Sequence, residues 1–397
     1  MKMLKDIDVK NKRVLVRVDF NVTLNSAGQV FDDFRLRATL PTIQYLKTQG
    51  AKIILMAHFG RPPDSGKSKA INNKLSLKPI AEKLSELLNQ EIKLAPDCVG
   101  ETVKTMAQEL KGGEILLLEN LRWHAEEEKN NAEFAKQLAA LGEVYVNDAF
   151  AVSHRAHASV AAIAQFLPGV AGLLLTKEIE NLSRTRDNPS HPLVAIIGGA
   201  KISTKIKLIQ SFLNKAEDVI LGGALANTIL HAQGVAIGRS FVEGGIFPEL
   251  KNLKLTSTKI HLPIDAVLSE DQKGAGAFRI GAVGSTGERE LILDIGPDSQ
   301  KLFATVIAQA KMIIWNGPMG LFEMKSFDGG TMAIAQAIIN SDAYSIVGGG
   351  ETVAFLEKLG FIDKFSFVST GGGAMMEFLS GEPMPGIEAL EEKIYDL

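Results

Sequence analysis

The sequence of 397 residues contains one cysteine, Cys98. No disulfide can form within the chain, and no cluster of thiolates can hold a metal. Long apolar runs are missing as well. The longest stretches hold about six to eight residues, against the ~20 that a membrane-crossing helix requires. The opening MKMLKDIDVKNKRVLV has neither the apolar core nor the small-residue cleavage site of a signal peptide. The expectation is a soluble cytoplasmic protein with no membrane partner. A basic surplus is also absent: the formal net charge of −3 argues against a general nucleic-acid binder. The seven histidines include no HExxH pair, and His154 and His157 of SHRAH, which could share a helical face, lack an obvious third metal ligand. There is no GxxxxGK(S/T), which excludes a P-loop NTPase. No GxGxxG follows the first strand-like run of either half, which disfavours a Rossmann-type dehydrogenase.

What is present is ordinary in bulk and informative in order. A hydrophobic fraction of 46% and a charged fraction of 22% suit a protein with sizeable cores. At about 150 residues per domain, two or three domains are expected. Short Val/Ile/Leu-rich runs recur: RVLVRVDFN (13–21), KIILMAHFGRP (52–62), EILLLENLR (114–122) and EVYVNDAF (143–150). A second series follows: LVAIIGGAK (193–201), DVILGGALAN (218–227), MIIWNGPMG (312–320), YSIVGGGET (344–352) and FSFVSTGGGA (365–374). Helix-like segments, such as 76–90, 131–140, 202–214, 298–310 and 351–358, lie between them. Apolar strands alternating with amphipathic helices predict parallel sheets covered on both faces. Residues 169–192 divide the two series, with an apolar, helix-compatible GVAGLLLTKEIENL before a turn-rich SRTRDNPSHP, and read as a connecting helix plus linker. Residues 253–295 read as a β-rich excursion within the second half.

Ligands of open α/β sheets bind beyond the carboxyl ends of the strands. In the first series that rule selects Arg17, Asp19 and Asn21, then His58 and Arg61, then Arg122, then His154, Arg155 and His157, with Arg35 at the start of a helix. Nine of the twelve arginines precede residue 190, and arginine is the side chain suited to bidentate grip on phosphate or carboxylate. One arginine at a strand end is as readily a solvated charge. Five in register point to a small polyanion. The second series ends instead in glycine clusters, which let a ligand approach the backbone and leave helix N-termini open to phosphate. Lys201 and Lys205, four apart after GGA, would share a helical face and supply charge for a nucleotide's phosphates. The alternative is a non-catalytic sugar-phosphate/nucleotide binding module; as a hinge-closing sugar-phosphate binder alone it would explain the arginines but not this second site. A scaffold protein would need neither.

The motifs RVDFN (17–21), HFGRP (58–62), ENLRW (119–123), NDAF with SHRAH (147–157), GGAKISTK (198–205), NGPMGLFE (316–323), GGGET (348–352) and STGGGA (369–374) closely resemble those of the phosphoglycerate kinase family, in that family's order. The tail GEPMPGIEAL (381–390) is similar too. The resemblance implies two Rossmann-like α/β domains joined by a helix and hinge. The N-terminal domain would span 1–170 plus about 380–397, the connection 171–190 and the C-terminal domain 191–379. It implies a monomer that transfers a phosphoryl group reversibly between 1,3-bisphosphoglycerate and ADP, giving 3-phosphoglycerate and ATP, on hinge closure. Phosphoglycerate would be held by Asp19, Phe20, Asn21, Arg35, His58, Phe59, Gly60, Arg61, Arg122 and Arg155. The Mg²⁺-bound nucleotide would be held by Lys201, Lys205, Glu323, Gly349, Gly350, Glu351, Thr352, Gly371, Gly372 and Gly373. Arg35 and Lys205 are expected to flank the transferring group. Glu351 stands where the family more often has Asp, and its extra methylene still lets it reach Mg²⁺.

Overall fold

The computed structural model describes residues 1–61, 75–250, 253, 255–274 and 276–391. Pro62 of the HFGRP motif and residues 392–397 of the expected tail lie outside them. The chain forms two compact units, Met1–Asn181 with Glu382–Leu397, and Leu182–Gly381.

In the first unit, six parallel strands are ordered β3-β4-β2-β1-β5-β6. They are β1 Arg13–Arg17, β2 Lys52–Met56, β3 Lys93–Leu94, β4 Ile115–Leu117, β5 Val144–Asn147 and β6 Gly169–Ala171. Side chains alternate across a strand. Val14 and Val16, Ile53 and Leu55, Ile115 and Leu117, and Val144 and Val146 therefore share one face and one core with Leu36, Ile43, Ile80 and Leu84. The other face is equally dry, since Leu15, Ile54, Leu116 and Tyr145 are fully buried. Two-sided burial is why these strands read as continuous apolar runs. The helix Phe34–Thr48 buries Leu36, Thr39, Ile43 and Leu46, a stripe at helical spacing, and this docking fixes where Arg35 in its first turn stands. The helix Lys78–Leu88 buries Ile80, Ala81, Leu84 and Leu88 and ends on Asn89 in the left-handed region. Burying a Leu of this kind contributes ~1.5–3 kcal/mol.

The second unit repeats the plan. Its parallel sheet has the order β15-β14-β13-β7-β8-β9. The strands are β7 Leu193–Ile197, β8 Asp218–Leu221, β9 Ile260–His261, β13 Met312–Asn316, β14 Tyr344–Gly348 and β15 Phe367–Val368. Val194, Ile196, Ile220, Ile313, Trp315 and Val347 face the helices that bring Phe303, Ile307, Ile334, Ile338 and Phe355. The β-rich excursion is a three-stranded antiparallel sheet of β10 Asp265–Ser269, β11 Phe278–Ala282 and β12 Leu291–Ile295, with β10 in the middle.

Two local expectations need correction. The GVA of GVAGLLL opens no helix; it is β6, paired with Tyr145–Asn147 of β5. The SRTRD stretch is not linker. The helix runs Leu173–Asp187 and takes it in. Its start is held by Asp148, whose Oδ1 accepts from the Leu174 and Leu175 amides at 2.9 and 3.3 Å. The tail helix Pro385–Glu391 belongs to the first unit. The Gly386 amide donates to the Ser153 carbonyl at 2.8 Å, and Asn147 Nδ2 donates to the Gly386 carbonyl at 3.0 Å.

Candidate active site

Parallel pairing places the carboxyl ends of β1, β2, β4 and β5 on one edge of the first sheet. The loops after those ends carry the selected residues, and those after β1, β2 and β4 are joined by one hydrogen-bonded chain. Arg122 Nη1 donates to the Gly60 carbonyl at 2.7 Å, and the Gly60 amide donates to Asn21 Oδ1 at 2.9 Å. The Asn21 amide donates to Asp19 Oδ1 at 3.2 Å, and Arg35 Nη1 donates to Asp19 Oδ2 at 2.7 Å. Three loops and the first turn of the helix Phe34–Thr48 are thereby set against one another before any ligand arrives. Phe20 and Phe59 are buried beneath them, whereas Arg61 is exposed and Arg155 half-buried. Neither histidine of SHRAH lies on a helix: His154 is in a turn and His157 in the irregular segment after it. His154 accepts from Arg155 Nε at 3.0 Å and is held down to about 4, first by burial and then by the Arg155 charge.

A second chain runs under the first. Arg17 is fully buried, and its Nε donates to Ser159 Oγ at 2.8 Å. Ser159 in turn donates from Oγ to Glu127 Oε1 at 2.6 Å and from its amide to Oε2 at 2.9 Å. At its other end, Arg17 Nη2 lies 3.2 Å from His58 Nδ1. A guanidinium has no acceptor, so Nδ1 of His58 must accept and Nε2 must carry the proton. Burial, then the charges of Arg17, Arg122, Arg155 and Arg35, hold this imidazole neutral well below its ordinary range. Those arginines are thus close enough to act on one ring.

Sequence reasoning passed over Glu127, Ser159 and Asn120. Glu127 is the middle of an acidic run that reads as a solvated face, yet it is fully buried. Asn120 fixes the His58–Arg61 loop, accepting from the Phe59 amide at 3.1 Å and donating to the Phe59 carbonyl at 2.7 Å. Its place inside ENLRW was the available signal.

In the second unit the loops after β7, β8 and β13 are stitched together. Gly198 and Gly199 donate to the Asn316 and Pro318 carbonyls at 2.9 and 2.8 Å, and Gly223 donates to Met319 at 3.0 Å. Gly317 permits this closeness: at φ +100°, a Cβ there would lie 2.3 Å from the Gly198 oxygen. Lys205 does not share a helical face with Lys201. The helix begins only at Ile206, so Lys205 is its N-cap and buried, whereas Lys201 is exposed in the preceding loop. Lys205 Nζ donates to the Gly198 carbonyl at 2.5 Å and the Asn316 carbonyl at 3.3 Å. Burial pulls it down to about 8, with Glu351 opposing.

Beside these loops opens a cleft with apolar walls including Leu230, Phe241, Leu321 and Phe322, and with Glu323 and Glu351 at its polar part. Gly349 is the N-cap, Gly350 and Glu351 begin the helix Gly350–Lys358, and Thr352 Oγ1 accepts from the Gly317 amide at 3.0 Å. The helices Ile206–Lys215, Gly223–Ala232 and Gly350–Lys358 start without a side-chain cap among the described residues. The first amide groups of Gly350–Lys358 suit an anion, whereas at Gly223–Ala232 the Gly223 and Leu225 amides already donate to the Met319 and Gly199 carbonyls at 3.0 and 2.9 Å. Asn316 Nδ2, buried beside Gly349, also finds no partner among the described residues. Gly371–Gly373 lead into the helix Gly373–Leu379 and do not line the cleft.

The family model described as phosphoglycerate kinase matches residues 4–382. The chain belongs to that family. A curated relative from Moorella thermoacetica, named phosphoglycerate kinase, is 49% identical over 394 residues, covering 98% of this chain and 99% of that one. The relative of the same name from Dictyoglomus turgidum is 46% identical over 395 residues, covering 98% of each. Among solved structures, the phosphoglycerate kinase of Coxiella burnetii superposes with a TM-score of 0.83 at 38% identity, and that of Pyrococcus horikoshii with 0.88 at 34%. Each pair is covered over 98% of both chains. The two-sheet α/β fold implied by the motifs is therefore that of the solved family members.

Proposed function

We propose that this protein catalyses reversible phosphoryl transfer between 1,3-bisphosphoglycerate and ADP, giving 3-phosphoglycerate and ATP. The family match over residues 4–382, with the motif arginines standing at one edge of one sheet, carries this reading. His58, Arg61, Arg122 and Arg155 would bind the phosphate and carboxylate of phosphoglycerate, with Phe20, Phe59 and Gly60 shaping the loops around it. His58 can only donate there, from Nε2. Asp19 can only accept, which suits the substrate hydroxyl.

The amide groups that open the helix Gly350–Lys358, with Lys201 and Lys205, would receive the nucleotide's phosphates, and the apolar cleft its base. The carboxylate oxygens of Glu323 and Glu351 fit Mg²⁺, a hard cation that takes oxygen ligands. When bound, Mg²⁺ neutralises phosphate charge. Phosphoryl transfer needs positioning and charge stabilisation more than covalent help. The two ligand sets belong to different units, so transfer awaits hinge closure, which also keeps water from the acyl phosphate. Arg35 and Lys205 are assigned to the transferring group, one from each unit. Each now rests on protein acceptors, Asp19 and two backbone carbonyls, that the phosphoryl oxygens would replace.

The deciding assay supplies ATP, 3-phosphoglycerate and Mg²⁺ and couples the product to glyceraldehyde-phosphate dehydrogenase with reduced nicotinamide. Turnover that requires both Mg²⁺ and phosphoglycerate is expected. Folded, nucleotide-binding protein without turnover would overturn the proposal.

A further inference from the structure

Three metal-ligating side chains meet away from the groups assigned above. Asp97 and Cys98 lie in the loop after β3, and His124 follows the turn Leu121–Trp123 after β4. The two strands are parallel neighbours, and the Ala95 amide donates to the Leu117 carbonyl at 2.8 Å, so the loops leave side by side. The carboxylate, thiol and imidazole ligand atoms all lie within 4.8 Å of one another. We propose that Asp97, Cys98 and His124 form a site for a borderline-soft divalent cation of the zinc class, with water as the fourth ligand.

The donor set selects the metal. One thiolate, one imidazole and one carboxylate suit Zn²⁺ and its analogues, whereas Mg²⁺ and Ca²⁺ take oxygen ligands. Distances agree with small adjustments. Tetrahedral zinc with bonds of about 2.0–2.3 Å places its ligand atoms roughly 3.3–3.7 Å apart. Asp97 Oδ1 and His124 Nε2 are now hydrogen-bonded at 2.6 Å, so admitting an ion requires them to part by about 1 Å or less. The adjustment falls on Asp97, whose side chain is 44% exposed and whose Oδ1, now also accepting from the Cys98 amide at 2.6 Å, would turn towards the ion. Cys98 is fully buried and forms the fixed floor of the site, and the ion would enter from the solvent side. His124 is already oriented by stacking on Phe134, with ring centroids 4.9 Å apart.

Charge favours the same conclusion. Burial first, and then the charges of Asp97, Glu127 and Glu119, disfavour a lone thiolate at Cys98; a dication beside the sulfur would offset both. The thiol now donates to the Glu119 carbonyl at 3.0 Å. Binding would exchange that S–H···O bond for a sulfur–metal bond. The proton that His124 Nε2 shares with Asp97 would pass by way of water to Nδ1, so that a neutral imidazole becomes a ligand. The net release is the one thiol proton per ion, with no change of oxidation state. The bound ion would tie the loop after β3 to the turn that carries Arg122.

Cobalt(II) tests this on the full chain, because a thiolate-to-cobalt band can come only from Cys98. Metal-free protein titrated with one equivalent of Co²⁺ is expected to show that near-ultraviolet band together with the visible bands of a four-coordinate site, and Zn²⁺ should bleach both. Calorimetry in buffers of different ionisation enthalpy should find one proton released. Cys98→Ser removes the band but alters a buried position. His124→Ala and Asp97→Asn, at partly exposed positions, keep the test decisive, and each is expected to lose the band at equimolar cobalt. A six-coordinate cobalt spectrum without a thiolate band, or a band that persists in His124→Ala, would overturn the site.

Discussion

His58 can offer a ligand only one nitrogen as a donor, because the guanidinium of Arg17 occupies the other. Its orientation depends on a serine that touches no substrate in this scheme. Ser159→Ala would cut the link between Arg17 and Glu127, leaving a buried carboxylate and a buried guanidinium without their shared partner. The expected result is a KM for phosphoglycerate raised roughly 10-fold, from ~1–2 kcal/mol of lost hydrogen bonding, with kcat much less affected. Steady-state kinetics beside a thermal melt would separate this from simple destabilisation.

Lys205 gives a second expectation at this scale. With its ammonium at about 8 instead of the ordinary 10.5, the folded state binds fewer protons than the unfolded chain between those values. Keeping Lys205 charged therefore costs stability below about pH 8, and the cost fades as the pH rises towards 10.5. Nucleotide affinity should move the other way, falling as the pH rises through about 8. Calorimetric ADP binding should show that limb in the natural protein and a flat profile in Lys205→Arg. An unchanged limb in the variant would assign the titration elsewhere. The place of Arg17, Asp19 and Asn21 at the carboxyl end of a strand was legible from the run RVLVRVDFN. The burial of Glu127 was not, because burial depends on Ser159, 32 residues further on.

Among the elements, the start of the helix Leu173–Asp187 rests on one carboxylate. Burial raises Asp148 to about 7, and its Oδ2 has no partner among the described residues. An acid raised in the folded state favours folding when protonated. Its ionisation therefore removes stability as the pH climbs from about 3.8 to about 7. Asp148→Asn keeps an acceptor for the Leu174 and Leu175 amides and is expected to raise the Tm at pH 8 more than at pH 5. Melts at both values would check it, and equal shifts would contradict it. Gly386 is the other vulnerable point, since a Cβ there would meet Val160 Cγ1 at 2.5 Å and Ser153 Cα at 3.0 Å. Gly386→Ala should loosen the tail helix at a cost of ~1–3 kcal/mol, visible as a lower Tm and faster amide exchange over 385–391.

The long strands could be read from sequence because burial on both faces makes them uniformly apolar. Strands β3 (KL), β6 (GVA) and β9 (IH) add no apolar run of their own to the sequence. The SRTRD end of the long helix was hidden by its polarity. It is held there by Arg184 over the Tyr344 ring at 4.8 Å and Arg186 over Phe378 at 4.4 Å, contacts that no local pattern reveals.

For the whole molecule, the two proposed anion sites belong to separate sheets, so damage to one should spare binding at the other. Arg35→Ala is expected to lower kcat by roughly 10²–10³, the ~2.7–4 kcal/mol typical of one oriented donor, while the ADP Kd stays within about twofold. A kcat near normal in folded protein would remove Arg35 from the transferring group.

The first unit is completed by residues that follow the second in the chain. A ribosome finishes the Leu182–Gly381 unit before it has made the helix Pro385–Glu391. The protein therefore matures out of order, its later half able to reach its native form while the earlier half waits for its closing helix. At about 5–20 residues per second, the interval between Asn181 and that helix is on the order of 10–40 s. Through that interval, the surface that Gly386 will cover stands open on the nascent chain.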